Sequence, residues 1–394
     1  MTASKHHFDH KGKAAERFVH KLAEKSFLTD WCFLNPRLPN GRELCDLLVV
    51  FDQTAIIWQV KDLKRRKKGD LKEADKQKNL RQLSGARRQL FDLGVPIQLE
   101  NPRRTVQTFD PGSMTEVFLI SALLGEVDDF FDPMPSVNDY HVHVFPRDFV
   151  EIVLQELDTI ADFTIYLRAK EAFIANKPFS VFMGGEEELL ARYLVNDRSF
   201  ESIDHADIVC FAEGSWEEFR QSPVYQSKKR ADETSYEWDE IINRAHEGSK
   251  RYELVARELA RPNRFQRRFL AKRFLDGQMT ADCDKIHDIY RTVLLMEDAT
   301  YCFLFFDESL PRGARLSCLK ELCFVARGSY PQNTKVVGIA TEKRIGPTRS
   351  YDFALLNPPV WTSENQKEAE RLKQRLGMFE NPRVQNIQEA EYPE

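Results

Sequence analysis

The residues most able to do chemistry lie in the stretch Gly41-Arg42-Glu43-Leu44-Cys45-Asp46 and, thirteen positions beyond Asp46, in the triplet Gln59-Val60-Lys61. The two segments lie on two predicted strands, Leu44 to Phe51 and Ala55 to Val60, with the break Asp52-Gln53 between them and successive apolar residues in each. If Asp52-Gln53 form a two-residue turn, Phe51 pairs with Thr54, and counting back along both strands sets Asp46 opposite Gln59. Side chains alternate along a strand, so Gln59 and Lys61 share one face, and Asp46 shares it with them. A carboxylate, an amide oxygen and an ammonium group then converge where the apolar run ends. Asp46 and the Gln59 carbonyl oxygen suit Mg²⁺, a hard cation that takes oxygen ligands, with Mn²⁺ able to substitute. Lys61 would hold or deprotonate the water that attacks a phosphodiester. An uncompensated lysine among Ile and Val is costly to bury, so Lys61 needs anionic neighbours to stay charged.

Positioning this group requires a buried sheet. Both runs are apolar on successive residues, whereas antiparallel strands with one solvated face alternate, so the hairpin is expected mid-sheet with helices covering each side. Ahead of it, Ala15, Phe18, Val19, Leu22 and Ala23 recur at helical spacing and predict a helix over 12–25, with Glu16 at the margin of its apolar stripe. Behind it, a basic helix is predicted over 72–91, ending before Gly94 and Pro96. Strands are predicted at 105–109, 116–124 and 141–145, and two apolar-striped helices at about 148–157 and 160–176. The remainder reads as mostly helical to about Glu297. It then returns to an α/β pattern, with strands at 301–306, 334–340 and 353–356 and helices at 312–326 and 363–376. The predicted architecture is therefore α/β: a central mixed sheet flanked by helices in a domain over 1–146, a mainly helical connector region over 147–297, and a smaller C-terminal α/β domain over 298–394.

Composition is that of a globular protein: of 394 residues, 42% are hydrophobic and 30% charged, which excludes disordered and fibrous classes. The longest apolar stretch, near Val117 to Leu124, is far short of the roughly 20 residues of a membrane-spanning helix. The polar start lacks a signal-like apolar region, and the seven cysteines lack any Cys-x-x-Cys spacing. A cytoplasmic protein with reduced core thiols and no membrane association is expected. Net charge is only −5, yet between Lys61 and Leu90 twelve basic residues face four acidic ones. Lys64, Arg65, Arg66, Lys67 and Lys68, just past Lys61, would meet phosphates at the mouth of the proposed site and make binding salt-sensitive. The bland alternative is a solvated loop.

Glu16, Asp46, Gln59 and Lys61, in that order, resemble the PD-(D/E)XK phosphodiesterase superfamily of restriction-endonuclease-like fold. The likeness is to its Mrr-like members, which carry Gln in place of the first acid of the (D/E)-x-K element. It covers about residues 10–125. The resemblance implies that an N-terminal helix contributes Glu16 and a hairpin contributes Asp46 and Gln59-Val60-Lys61, and that the following helix packs beside the site and helps hold nucleic acid. It also implies Mg²⁺ on Asp46, Gln59, the Val60 carbonyl and Glu16, with Lys61 acting on the water. Two departures stand out: Cys45 occupies the place of the family's usual proline, and Gln59 removes a negative charge from the metal site. Glu43, whose strand parity does not match that of Asp46, reads as a flanking residue.

Other candidates carry less. His141 and His143 share a predicted strand face without a third ligand at metal-binding spacing. Between Arg261 and Arg273, Phe265, Phe269 and the adjoining Phe274 could stack on bases but read better as core residues. There is no phosphate-binding glycine loop. The sequence thus points to a metal-dependent endonuclease cutting DNA, in restriction of foreign or viral DNA or in repair, with the C-terminal half choosing target, protein partner or trigger. Cutting both strands would favour a homodimer. RNA as substrate leaves the same site intact, and an inactive nucleic-acid-binding or scaffold protein is the alternative from another class.

Overall fold

The computed structural model describes residues 2–62, 73–125, 132, 134–175, 179–182, 185–204, 208–248, 252–283, 289–306, 310–342, 349–380 and 383–393. The chain divides into two units, Met1–Gln226 and Ser227–Glu394. That single boundary falls inside the stretch expected to be one helical connector, so residues 147–297 are shared between the units.

In the first unit, helix α1 (Thr2–Phe27) leads to β1 (Cys32–Leu34), β2 (Leu47–Phe51) and β3 (Thr54–Lys61). Helix α2 (Glu73–Arg87), extended by a wider π-helical turn at Arg88–Asp92, is followed by a hairpin of β4 (Ile97–Asn101) and β5 (Arg104–Phe109). Then come β6 (Glu116–Leu123), the short pair β7 (Ser136–Val137) and β8 (Tyr140–His141), and β9 (His143–Pro146). Five strands form one mixed sheet in the order β1-β2-β3-β6-β9. The first three run antiparallel, while β6 is parallel to both β3 and β9.

The hairpin β2–β3 is internal, as its doubly apolar strands require. On one face, Leu48, Ala55, Ile57 and Leu119 pack against Leu83, Ala86 and Leu90, which recur at helical spacing on α2 and its extension. On the other, Trp58 stacks on Phe163 with ring centroids 5.8 Å apart and meets Phe145 at 6.2 Å, and Phe27 of α1 reaches Phe163 at 5.1 Å. Each such side chain, fully buried, contributes about 1.5–3 kcal/mol, so the sheet is held from both sides and its strand ends are fixed. The unit continues through α3 (Arg147–Glu156), α4 (Ile160–Ala175), β10 (Phe179–Phe182), α5 (Glu186–Val195), α6 (Glu201–Asp204), β11 (Ile208–Phe211) and α7 (Ser215–Gln221). Strands β10 and β11 pair in parallel within a region expected to be helical.

The unit boundary lies within α8 (Pro223–Asp232). The second unit includes α9 (Tyr236–Gly248), α10 (Glu253–Ala260), α11 (Arg264–Asp282), β12 (Tyr290–Leu295), β13 (Thr300–Phe306), α12 (Arg312–Ser329), β14 (Val336–Glu342), β15 (Tyr351–Leu356) and α13 (Ser363–Arg375). Its four strands lie in the order β12-β13-β14-β15, with the central pair parallel and joined through α12. Gly338 allows that helix to sit close, since a Cβ there would lie 2.5 Å from Cys323 Sγ. Among the described residues no helix is long and apolar enough to cross a membrane. Cys32, Cys45, Cys302 and Cys323 are buried free thiols.

Candidate active site

The turn at Asp52-Gln53 closes as the sequence requires: Phe51 pairs with Thr54, Asp52 adopts a φ of 50°, and the register runs back to Leu47 opposite Trp58. Strand β2 begins at Leu47 rather than Leu44, because residues 35–45 form a tight loop. There Leu44 N–H donates to the Pro36 carbonyl and Leu38 N–H to that of Arg42. Asp46 sits at the junction of loop and strand. Its N–H donates to the Trp58 carbonyl at 3.2 Å, and its carbonyl accepts from Asn35 N–H at 3.0 Å.

From this junction the Asp46 side chain turns onto β3. Its Oδ2 accepts from Gln59 Nε2 and from Val60 N–H, each at 2.5 Å. Both side chains are buried, Asp46 at 4% and Gln59 at 6% exposure. The expected meeting of Asp46 and Gln59 is therefore present, with one difference in sense. The amide offers its nitrogen, not its oxygen, to the carboxylate, since an ionised carboxylate can only accept.

Two further carboxylates approach. Burial pushes the Asp46 carboxyl up to about 7; the Val60 N–H pulls against this, and the charges of Glu16 and Glu43 push the same way. Glu16, half-buried on α1, is also raised, first by burial and then by the charge of Glu43, while a hydrogen bond from the Asn35 side chain pulls it down. Glu43 acts on Asp46 both through its charge and through the close approach of its side chain, each of which disfavours an ionised Asp46. Strand parity, the ground for reading Glu43 as a flanking residue, does not apply to residues 43–46, which precede β2 in a loop. Glu16, Glu43 and Asp46 form one acidic group around the end of the hairpin.

Lys61 is the last residue of β3 and is partly exposed. By strand alternation it shares the face of Gln59. The basic residues Lys64, Arg65, Arg66, Lys67 and Lys68 lie outside the described residues. On the Gln59 face, Ser121 of β6 stands directly across in the register, and Asn79 of α2 donates to its Oγ at 3.0 Å. Asn79 was not singled out by sequence, although it falls at helical spacing with buried Leu83, Ala86 and Leu90; that spacing is the signal that could have found it.

The remaining candidates resolve into structure. His143 is fully buried, its Nε2 lies 3.0 Å from Glu171 Oε1, and burial holds its pKa well below the ordinary range. His141 is exposed and lies on a different strand. In the second unit Phe274 packs on Phe303 and Phe305, while Arg264 and Arg267 are buried against Asp239 and Arg268 against Asp232. That basic stretch builds a core.

Among the described residues no group of three His, Cys, Asp or Glu side chains is arranged to hold a metal ion. Mg²⁺, however, is ordinarily held by one or two carboxylates plus neutral oxygens and water. The Asp46 carboxyl, raised by burial and by the charges of Glu16 and Glu43, in contact with the Gln59 amide, is a donor set that such an ion fits in type, whereas no contact of Lys61 with these groups is present among the described residues. Comparison of the chain with protein-family models, curated proteins and solved structures found no match.

Proposed function

We propose that the first unit is a metal-dependent phosphodiesterase of restriction-endonuclease-like fold that cuts DNA. The observation that carries this reading is the convergence of Asp46 and Gln59 in direct contact, with Glu16 and Glu43 acting on the same carboxylate, at the strand end that presents Lys61. A helix bearing Glu16, an internal hairpin bearing Asp46 and Gln59-Val60-Lys61, and a helix packed on the next strand follow one another in the order the sequence resemblance implies.

Asp46 and Gln59, with Glu16 or Glu43, are the residues that would hold Mg²⁺. Bound there, the ion would supply Lewis-acid polarisation of the scissile phosphate. Asn35 steadies this group, gripping the Asp46 carbonyl through its backbone and Glu16 through its side chain. Lys61, accessible to water at the strand end, orients the attacking water for in-line displacement and offsets the negative charge that develops on the phosphoryl oxygens. The second unit, and the basic residues just beyond Lys61, are assigned to choice of target.

One observation favours a second reading. Asp46 Oδ2 already accepts two hydrogen bonds within the protein, as it would in a purely structural pair, so a protein that binds nucleic acid without cutting it is the alternative. A plasmid-nicking assay with Mg²⁺, Mn²⁺ or EDTA separates the two. Nicking that needs the metal and vanishes in Lys61→Ala supports the enzyme; retention of DNA without nicking under every metal condition supports the alternative.

A further inference from the structure

A primary amide carries its donor and its acceptor on opposite corners, so Gln59 cannot give Asp46 a hydrogen and offer an oxygen in the same direction. In the structure the nitrogen faces Asp46. For Gln59 and Asp46 to present oxygens to one cation, the amide must turn about its last side-chain bond, and its NH₂ then points to the opposite side. Gln59 is 6% exposed, so water does not readily take those hydrogens, and a buried donor left unmet is unfavourable.

An acceptor is in place on that face. Ser121 is the register partner of Gln59 on the parallel strand β6, and parallel neighbours roughly 5 Å apart carry their side chains on the same side. Its hydroxyl accepts from Asn79 Nδ2 at 3.0 Å. Asn79 is wholly buried, and among the described residues its Oδ1 has no hydrogen-bond partner. A buried carbonyl oxygen with nothing to accept is itself unfavourable, and such an atom calls for an explanation.

We propose that Asn79, held by Ser121, receives the turned Gln59 amide, so that the pair serves as a positioning device that lets a glutamine replace an acid as a cation ligand. Asn79 is then a positioning residue acting through Gln59. The inference rests on the reading of the site given above and adds to it the reason a neutral side chain can work at position 59.

The test measures Mn²⁺ binding by calorimetry to the full-length chain and to Asp46→Ala, Asn79→Ala, Ser121→Ala, Gln59→Glu and Gln59→Glu/Asn79→Ala, each checked for folding by circular dichroism. The expected result is that Asn79→Ala weakens Mn²⁺ binding about five-fold in the parent, the effect of one lost buried hydrogen bond. In the Gln59→Glu background, where position 59 has no N–H to place, the same substitution should change binding by less than about two-fold. Ser121→Ala, which removes one oxygen, should show the same dependence on position 59 and serves if Asn79→Ala does not fold. Equal losses in both backgrounds, or none in either, would overturn the inference while leaving the metal site intact. A parent chain that binds no Mn²⁺, or binds it as well after Asp46→Ala, would instead overturn the reading of the site on which the inference stands.

Discussion

Gln59 Nε2 and Asp46 Oδ2 lie 2.5 Å apart, and the Val60 N–H reaches the same oxygen at the same distance. One carboxylate oxygen thereby locks the loop preceding β2 onto the far end of β3, and the other lies outside these two bonds. The contact fixes the relative placement of a residue from the loop and two from the strand, which is the preorganisation the proposed hydrolytic site would need.

Gln59→Glu should separate the structural role of this contact from its role in binding a cation. A carboxylate at position 59 cannot donate to Asp46 and repels it, so the metal-free protein should lose about 1–3 kcal/mol of stability. Millimolar Mg²⁺ should recover most of that loss, because two acids suit a hard cation better than one acid and an amide. Thermal unfolding with and without Mg²⁺ reads both effects. A loss that Mg²⁺ leaves untouched would show that the side chain at position 59 is not a ligand.

Lys61→Ala should lower the single-turnover cleavage rate at least about 100-fold while changing the dissociation constant for DNA by less than about three-fold, since the role proposed for it is in the transition state. Lys61→Arg should recover little, because the planar guanidinium holds water differently from a compact ammonium. Gel-shift titration beside single-turnover kinetics makes the comparison. A parallel fall in rate and affinity would reassign Lys61 to substrate binding.

Glu43→Gln should reduce the cleavage rate about ten-fold, of the same order as Glu16→Gln, since each supplies negative charge beside Asp46. Steady-state rates over a range of Mg²⁺ concentrations should show the loss partly overcome at high Mg²⁺. A variant indistinguishable from the parent at every Mg²⁺ concentration would return Glu43 to a flanking role.

Glu43 also marks where the sequence stops being legible. The hairpin was readable because two doubly apolar runs around a polar pair admit few arrangements, and the contact between Asp46 and Gln59 follows from counting along it. Residues 35–45 depend instead on hydrogen bonds such as Leu44 to Pro36 and Leu38 to Arg42, which no periodicity announces. Strand rules therefore do not reach Glu43. Strand β4 was hidden because its alternating Ile97-Gln98-Leu99-Glu100 is short and follows Gly94 and Pro96. Strand β12 was hidden because Arg291 and Thr292 interrupt its apolar run. Asn79 was overlooked for a related reason: a polar residue on a buried helix face looks like a break in the stripe until its partner on another strand is known.

The first unit also carries a pH dependence in a buried pair that the proposed chemistry does not use. Glu186, at the start of α5, is 1% exposed and pairs with the fully buried Lys170 of α4. Burial pushes the Glu186 carboxyl from its ordinary 4.5 up to about 7, against the pull of the Lys170 ammonium, and burial likewise lowers Lys170. Between those two values the folded chain keeps a proton on Glu186 that the unfolded chain has released. Its contribution to stability is therefore fully present below pH 4.5 and is lost as pH rises through about 7, a change on the order of 3 kcal/mol. The lowered Lys170 gives the opposite slope, in the range between its folded value and the ordinary 10.5. Glu186→Gln preserves shape and hydrogen bonding without titrating, so the advantage of the parent over this variant should shrink as pH is raised through that acid-to-neutral range. Urea unfolding at a series of pH values measures the difference, and a gap that stays constant would mean that the pair remains an ion pair throughout.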